Sequence, residues 1–197
     1  MKFIFCIALL AGLVTASADL SGAASLDVAR VVSGEVWRMV SGHLTHLTWR
    51  QYITDVPAFV FLYGAYIRRS GTVSGVLLAL FSAVSVSGVV IIAGVHQLYG
   101  GLSGVSCAAF AAILLVWIME HPRRMANYLV AAVFCAFLLS MGGVASGVRV
   151  AKEAHIAGAV TGAIFELLRV WLLGGCVSGS GPGRVFHSAC KATPSGH

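Results

Sequence analysis

Six stretches of mostly apolar residues follow one another along the chain, and their lengths limit what it can fold into more than any single motif does. They are Phe3 to Ala18, Tyr52 to Ile67, Thr72 to Val95, Leu102 to Met119, Asn127 to Val144 and Ala154 to Leu173, one of the last five shorter and more mixed. About 20 apolar residues in a helix match a hydrocarbon layer roughly 30 Å thick. Inside that layer every backbone N–H and C=O must be bonded within its own segment, which leaves helices as the spanning element here. The expected fold is an all-α membrane protein, a bundle of six transmembrane helices. With 197 residues, 58% of them hydrophobic and a mean hydropathy of +0.91, little length remains for a separate soluble domain.

The expected organisation has four parts. Residues 1–18 form a first transmembrane helix, residues 19–50 an outer loop, residues 51–173 the core helices two to six, and residues 174–197 a disordered cytoplasmic tail. The first part has a rival reading: Lys2, a short apolar core and Ala16-Ser17-Ala18 also fit a secretory signal peptide and its cleavage site. The tail is rich in Gly and Ser with scattered basic residues, too poor in apolar side chains to order itself.

Net charge is +6, but the basic residues lie in short loops and the tail, so they report orientation and no nucleic-acid surface. Arg68-Arg69 and His121-Pro122-Arg123-Arg124 flank the loops after the second and fourth segments, whereas residues 96–101 carry no formal charge. The positive-inside rule then places the arginine pairs in the cytoplasm and the loop before Ser103 outside, with Arg149 and Lys152 the exception. Cys6, Cys107, Cys135, Cys176 and Cys190 have no metal-ligand spacing and imply neither a disulfide nor a metal site. His43 and His46 have HxxH spacing but no third ligand nearby, so no metal and no cofactor are expected.

Polar residues held in the apolar layer are costly, and two of them have reactive side chains. Ser103 stands in Tyr99-Gly100-Gly101-Leu102-Ser103-Gly104, where a Gly-rich loop enters an apolar helix, and His155 opens another helix 52 positions later. A serine hydroxyl becomes a nucleophile when a base within hydrogen-bond reach takes its proton, and histidine is the common base. At about 1.5 Å per residue, Ser103 lies roughly 24 Å above the end of its helix and His155 roughly 16 Å above Glu166, depths that agree within a turn or two. Gly158 and Gly162 form a small-xxx-small stripe that lets helices approach closely, and glycines before Ser103 free backbone N–H groups for an oxyanion. The structural alternative is a serine bonded back to its own helix and a histidine that merely satisfies a neighbour.

From Glu35 to Leu173 the chain resembles the rhomboid family of intramembrane serine proteases. Trp37-Arg38 resembles the family's Trp-Arg pair, Gly101-Leu102-Ser103-Gly104 its GxSG, and Ala154-His155-Ile156-Ala157-Gly158 its final helix. The resemblance implies a rhomboid-like six-helix bundle with Ser103 as nucleophile and His155 as general base. It implies single-pass membrane protein substrates, cut in or near the transmembrane segment within the lipid bilayer, no nucleic acid partner, and an active site facing the outside. Trp37, Arg38, His46, Gly104, Gly158 and Gly162 take structural positions; Gln51, Asp55 and Gly101 line the oxyanion site. Two positions depart from the pattern. Gln51 and Asp55 stand where the family often has histidine and asparagine, and an ionised Asp55 can only accept a hydrogen bond, although a protonated one could donate. Cys107 stands where many members have an aromatic ring against the histidine. His96, Tyr99 and Ser106 are expected around the rim and the wet lining of the site. Gly34-Glu35-Val36-Trp37-Arg38 and Gly42-His43-Leu44-Thr45-His46 resemble the compact bacterial rhombosortases, which implies the bacterial inner membrane and substrates with Gly-rich C-terminal sorting tails. The alternative function is a catalytically inactive rhomboid-like protein that binds or escorts membrane proteins.

Overall fold

A computed structural model describes residues 2–94, 97–140, 144–145, 148–149 and 151–173. His96 and the 174–197 tail lie outside the described residues. The chain is an all-α bundle. All six apolar stretches form helices: α1 Lys2–Ala16, α5 Trp49–Ser70, α6 Thr72–Ala93, α7 Ser103–Glu120, α8 Met125–Ser140 and α9 Lys152–Leu172. Between α1 and α5 come the short helices α2 Ala18–Ala24, α3 Val28–Val32 and α4 Arg38–Ser41, followed by a 3-10 turn Gly42–Leu44. Two-residue strands complete the description: β1 Leu26–Asp27 pairs antiparallel with β2 Leu98–Tyr99, and β3 Val144–Ala145 with β4 Val148–Arg149.

Among the described residues, α6, α7 and α9 are long and apolar enough to cross a membrane, and a fourth span is added if α1 and α2, bent by 115°, count as one broken span. The other two long helices are less clear by length and composition. The 22-residue α5 carries Arg50, Asp55 and the Arg68-Arg69 pair, and α8 has only 16 residues. The chain is an integral membrane protein in which these helices share one bundle.

Local chemistry fixes the helix ends. The Thr48 hydroxyl accepts the Gln51 N–H at 3.1 Å and starts α5, and Gly71, at φ 86°, permits the immediate reversal into α6. The largest core cluster joins α1, α5, α6 and α7 around Phe59, Tyr63, Tyr66, Leu78 and Ala109.

The closest contact in the molecule is α7 against α9. A Cβ on Gly158 would overlap the Gly104 carbonyl, with the carbonyl carbon at 2.8 Å, and one on Gly162 would meet the Ala108 carbonyl carbon at 2.6 Å. Gly104 and Ala108 are one turn apart, as are Gly158 and Gly162. The two backbones therefore touch over two successive turns and run parallel. α8 stands off from this pair. It buries only Leu138, and an apolar cavity of about 430 Å³ lies between α7, α8 and α9 beside Phe134 and Ile156.

Candidate active site

The α7–α9 register decides where the reactive side chains fall. Ser103 immediately precedes Gly104, and His155 comes one turn before Gly158, so glycine packing one turn down draws the two together. His155 Nε2 lies 2.9 Å from Ser103 Oγ, within direct hydrogen-bond reach. His155 is 5% exposed, and its Nδ1 makes no hydrogen bond among the described residues. Ser103 is the first residue of α7, and no side chain caps that end. The N–H groups of the first turn therefore have no helical partner and gather at the serine.

The loop before Ser103 is held from two sides. Gly101, at φ 125°, adopts a backbone that favours glycine, and a Cβ there would stand 3.0 Å from Asp55 Oδ2 and against the Gln51 amide. Gln51 donates from Nε2 to the Gly100 carbonyl at 2.9 Å, and its Oε1 accepts the Leu47 N–H at 3.0 Å. Its amide thus braces the loop. Asp55 Oδ2 is buried without a hydrogen bond and lies near the backbone N–H groups of Leu102 and Ser103. Tyr99 OH and Ser106 Oγ are also buried and unpaired among the described residues. Burial, with Asp55 and Cys107 nearby, holds the Tyr99 phenol above its ordinary range, so it stays a neutral donor.

The family model for the rhomboid domain matches residues 33–172, which include every site residue just described. The chain belongs to the rhomboid family. Rhomboids are intramembrane proteases, generally serine proteases, that act on membrane proteins within the bilayer. No curated protein sequence matches this rhomboid chain.

The remaining motif positions fall around the site. Arg38 is 2% exposed and donates to the carbonyls of Gly22 at 3.0 Å and Ser25 at 2.8 Å and to Glu35 at 2.7 Å. It thereby ties α2 to α4, while its neighbour Trp37 faces outward, 56% exposed. His46 lies 3.4 Å from Thr15 Oγ1 and 3.8 Å from Asp55 Oδ2, the second too long for a hydrogen bond. Burial pushes the His46 imidazole down to about 4, opposed by the Leu44 backbone. Cys107 is a free thiol packed near Ile156.

Sequence reasoning passed over His43 as half of an HxxH spacing. In this rhomboid its buried ring places Nδ1 3.1 Å from the Gly101 carbonyl and Nε2 3.0 Å from the Ala83 carbonyl and 3.1 Å from Ser87 Oγ. Burial lowers its pKa, opposed by the Ala83 and Gly101 carbonyls. His43 and His46 serve different partners. A histidine bonding a carbonyl 58 residues away leaves no mark in a single sequence. β1–β2 pairing, with Leu26 opposite Tyr99, is a second such tie between residues 19–50 and the Ser103 loop.

Proposed function

We propose that this rhomboid is an active serine endopeptidase that cuts single-pass membrane proteins in or near their transmembrane segment. The observation that carries the reading is the 2.9 Å approach of His155 Nε2 to Ser103 Oγ at the mouth of two apolar helices. Ser103 Oγ attacks the scissile carbonyl carbon while His155 Nε2 takes the hydroxyl proton. The carbonyl electron pair moves onto the oxygen, which meets the uncapped N–H groups at the start of α7. When the C–N bond breaks, His155 returns the proton to the departing amine and an acyl-serine remains. Water, deprotonated by His155, then adds to that ester and releases Ser103 and the new carboxyl end. The buried polar atoms of Asp55, Tyr99 and Ser106 provide a lining on which such water is held. Loosely packed α8, with the apolar cavity beside Ile156, favours lateral entry of a substrate helix.

Further parts of the reading rest on pattern. The arginine-rich loops favour a Ser103 mouth that faces outside, the rhombosortase resemblance favours a bacterial inner membrane, and the six long helices are read as spans. Burial of Ile4, Ala11 and Val14 and the donation from Tyr52 to the Ala8 carbonyl at 3.2 Å support retention of the first. The rhombosortase pattern favours substrates with Gly-rich C-terminal tails.

One observation favours a different function. Asp55 stands beside Gly101, where an ionised carboxyl would repel an oxyanion, which favours a rhomboid-like protein that binds membrane proteins without cutting them. Cleavage of a rhomboid reporter in liposomes, and labelling by a fluorophosphonate, separate the two. Both are expected for the wild-type protein and lost in Ser103→Ala and His155→Ala. Undiminished cleavage by Ser103→Ala would overturn the protease mechanism.

A further inference from the structure

We propose that His43 is the positioning residue of the oxyanion donors: by donating from Nδ1 to the Gly101 carbonyl, it turns the opposite edge of that peptide, the Leu102 N–H, toward the space beside Ser103 and Asp55. This inference rests on the protease reading and assigns a role to a side chain that neither the dyad nor the glycine motif includes.

The geometry has three parts. First, the C=O and N–H of a trans peptide point in opposite directions, so fixing one fixes the other. Gly101 O lies 3.1 Å from His43 Nδ1, and the Leu102 N–H on the far edge lies near the Asp55 carboxyl together with that of Ser103. Second, the Gly101 carbonyl receives no backbone donor among the described residues. The Ala83 carbonyl, which also faces the ring, lies in the middle of α6 and accepts the Ser87 N–H in the helical ladder. Of the two oxygens, Gly101 is the one that depends on His43. Third, the Ser87 hydroxyl, 3.1 Å from Nε2 and 2.7 Å from the Met39 carbonyl, can give its proton to either. When it donates to Nε2, the neutral ring carries its own proton on Nδ1, the form that holds Gly101.

The ring is faced by Ala83 and Ser87 from α6, by Tyr99 edge-on with centroids 5.6 Å apart, and by Gly101. Of these only Tyr99 titrates, and burial keeps it neutral. With 3% exposure, His43 has no solvent to replace a lost partner. Gln51 acts in parallel on Gly100, so two consecutive carbonyls are tied down just before the nucleophile.

The test uses the full chain in liposomes with His43→Phe, which keeps a ring against Tyr99, and Ser87→Ala. Expected for His43→Phe is a loss of about 100-fold in kcat, the scale of a misplacement near 1 Å, with KM little changed and an equal loss in inhibition by a peptide aldehyde. The aldehyde's tetrahedral adduct needs the oxyanion donors, whereas substrate binding does not. In Ser87→Ala the neutral ring loses the donor that fixes its tautomer, while a protonated ring donates from both nitrogens. Its activity relative to wild type is therefore lower at about pH 8 and climbs toward unity only on acidification below the ordinary histidine range, because burial lowers the His43 pKa. Dividing by wild type cancels the titration of His155. Unchanged kcat in His43→Phe, a rise in KM alone, or a flat Ser87→Ala ratio each overturns the proposal; if His43→Phe does not fold, the Ser87→Ala profile decides. Wild-type cleavage that survives Ser103→Ala removes the protease reading itself, a result that the His43 variants cannot produce.

Discussion

A single methyl group at Gly158 tests whether helix packing sets the Ser103–His155 distance. The added Cβ in Gly158→Ala would sit 2.8 Å from the Gly104 carbonyl carbon. Carbon atoms in good contact stay about 3.5 to 4.0 Å apart, and the Gly104 carbonyl oxygen lies nearer still, so α9 must retreat by at least about 1 Å at this turn. His155 lies one turn away on the same rigid helix, and Ser103 adjoins Gly104. The 2.9 Å contact then opens toward 4 Å, where a direct hydrogen bond is lost. Misplacement near 1 Å costs on the order of 100-fold in rate, and overpacking of this size costs about 1 to 3 kcal/mol in stability. Gly64→Ala is the matched control, because a Cβ there meets nothing within 4 Å. The assay combines initial rates of reporter cleavage, fluorophosphonate labelling and thermal melting in detergent for both variants. The expectation is a folded Gly158→Ala protein with weak labelling and about 1% of the wild-type rate, beside a Gly64→Ala protein with full activity. A Gly158→Ala protein that cleaves within a few-fold of wild type would show that the backbone contact does not govern the reacting pair.

Three further outcomes follow from the same geometry. Asp55→Asn replaces an unpaired carboxyl oxygen beside Gly101 with an amide that can donate, and kcat is expected to rise several-fold; a tenfold fall in initial rate would make Asp55 an obligatory acceptor instead. His46 is neutral in the fold, with a pKa of about 4 against roughly 6.5 when unfolded. The unfolded chain therefore binds more protons between those values, and stability falls as pH drops through that window by up to about 3 kcal/mol, less whatever Asp55 offsets. Melting at stepwise pH checks this, with His46→Gln expected to flatten the profile. Since α1 packs on α5 through Ile4, Ala11 and the Tyr52 bond to Ala8, intact mass measurement on protein from the membrane is expected to include residues 2–18; a species starting after Ala18 would refute retention of this helix.

The apolar runs marked the long helices well, because a membrane segment is read from length and hydropathy alone. Thr72 to Val95 became Thr72–Ala93, and Leu102 to Met119 became Ser103–Glu120. Two depths and one glycine stripe left open a serine bonded to its own helix, and it was the resemblance to the rhomboid motifs that paired Ser103 with His155. Residues 19–50 were less so. Helices such as α3 Val28–Val32 and α4 Arg38–Ser41 are too short to show a period. Their order comes from Arg38 reaching two carbonyls of the Gly22–Ser25 stretch. Gln51 is expected to line the oxyanion site, but a sequence does not show that Gly100 and Leu47 engage both ends of its amide.

The ties at the two ends of α5 differ in kind. Near its last turn Tyr66 donates to the fully buried Glu166 at 2.7 Å, with Arg169 bound to the same carboxylate, and Arg69 pairs with Glu120. Toward the serine, Pro57 interrupts the helix ladder, and above it Gln51 grips Gly100. α5 is thus held by charged pairs at its base and by neutral hydrogen bonds at its tip. A sideways push on the tip moves Gln51 and Asp55 together and drags Gly100 with them. Anything that wedges itself beside this helix also retunes the loop that carries the nucleophile.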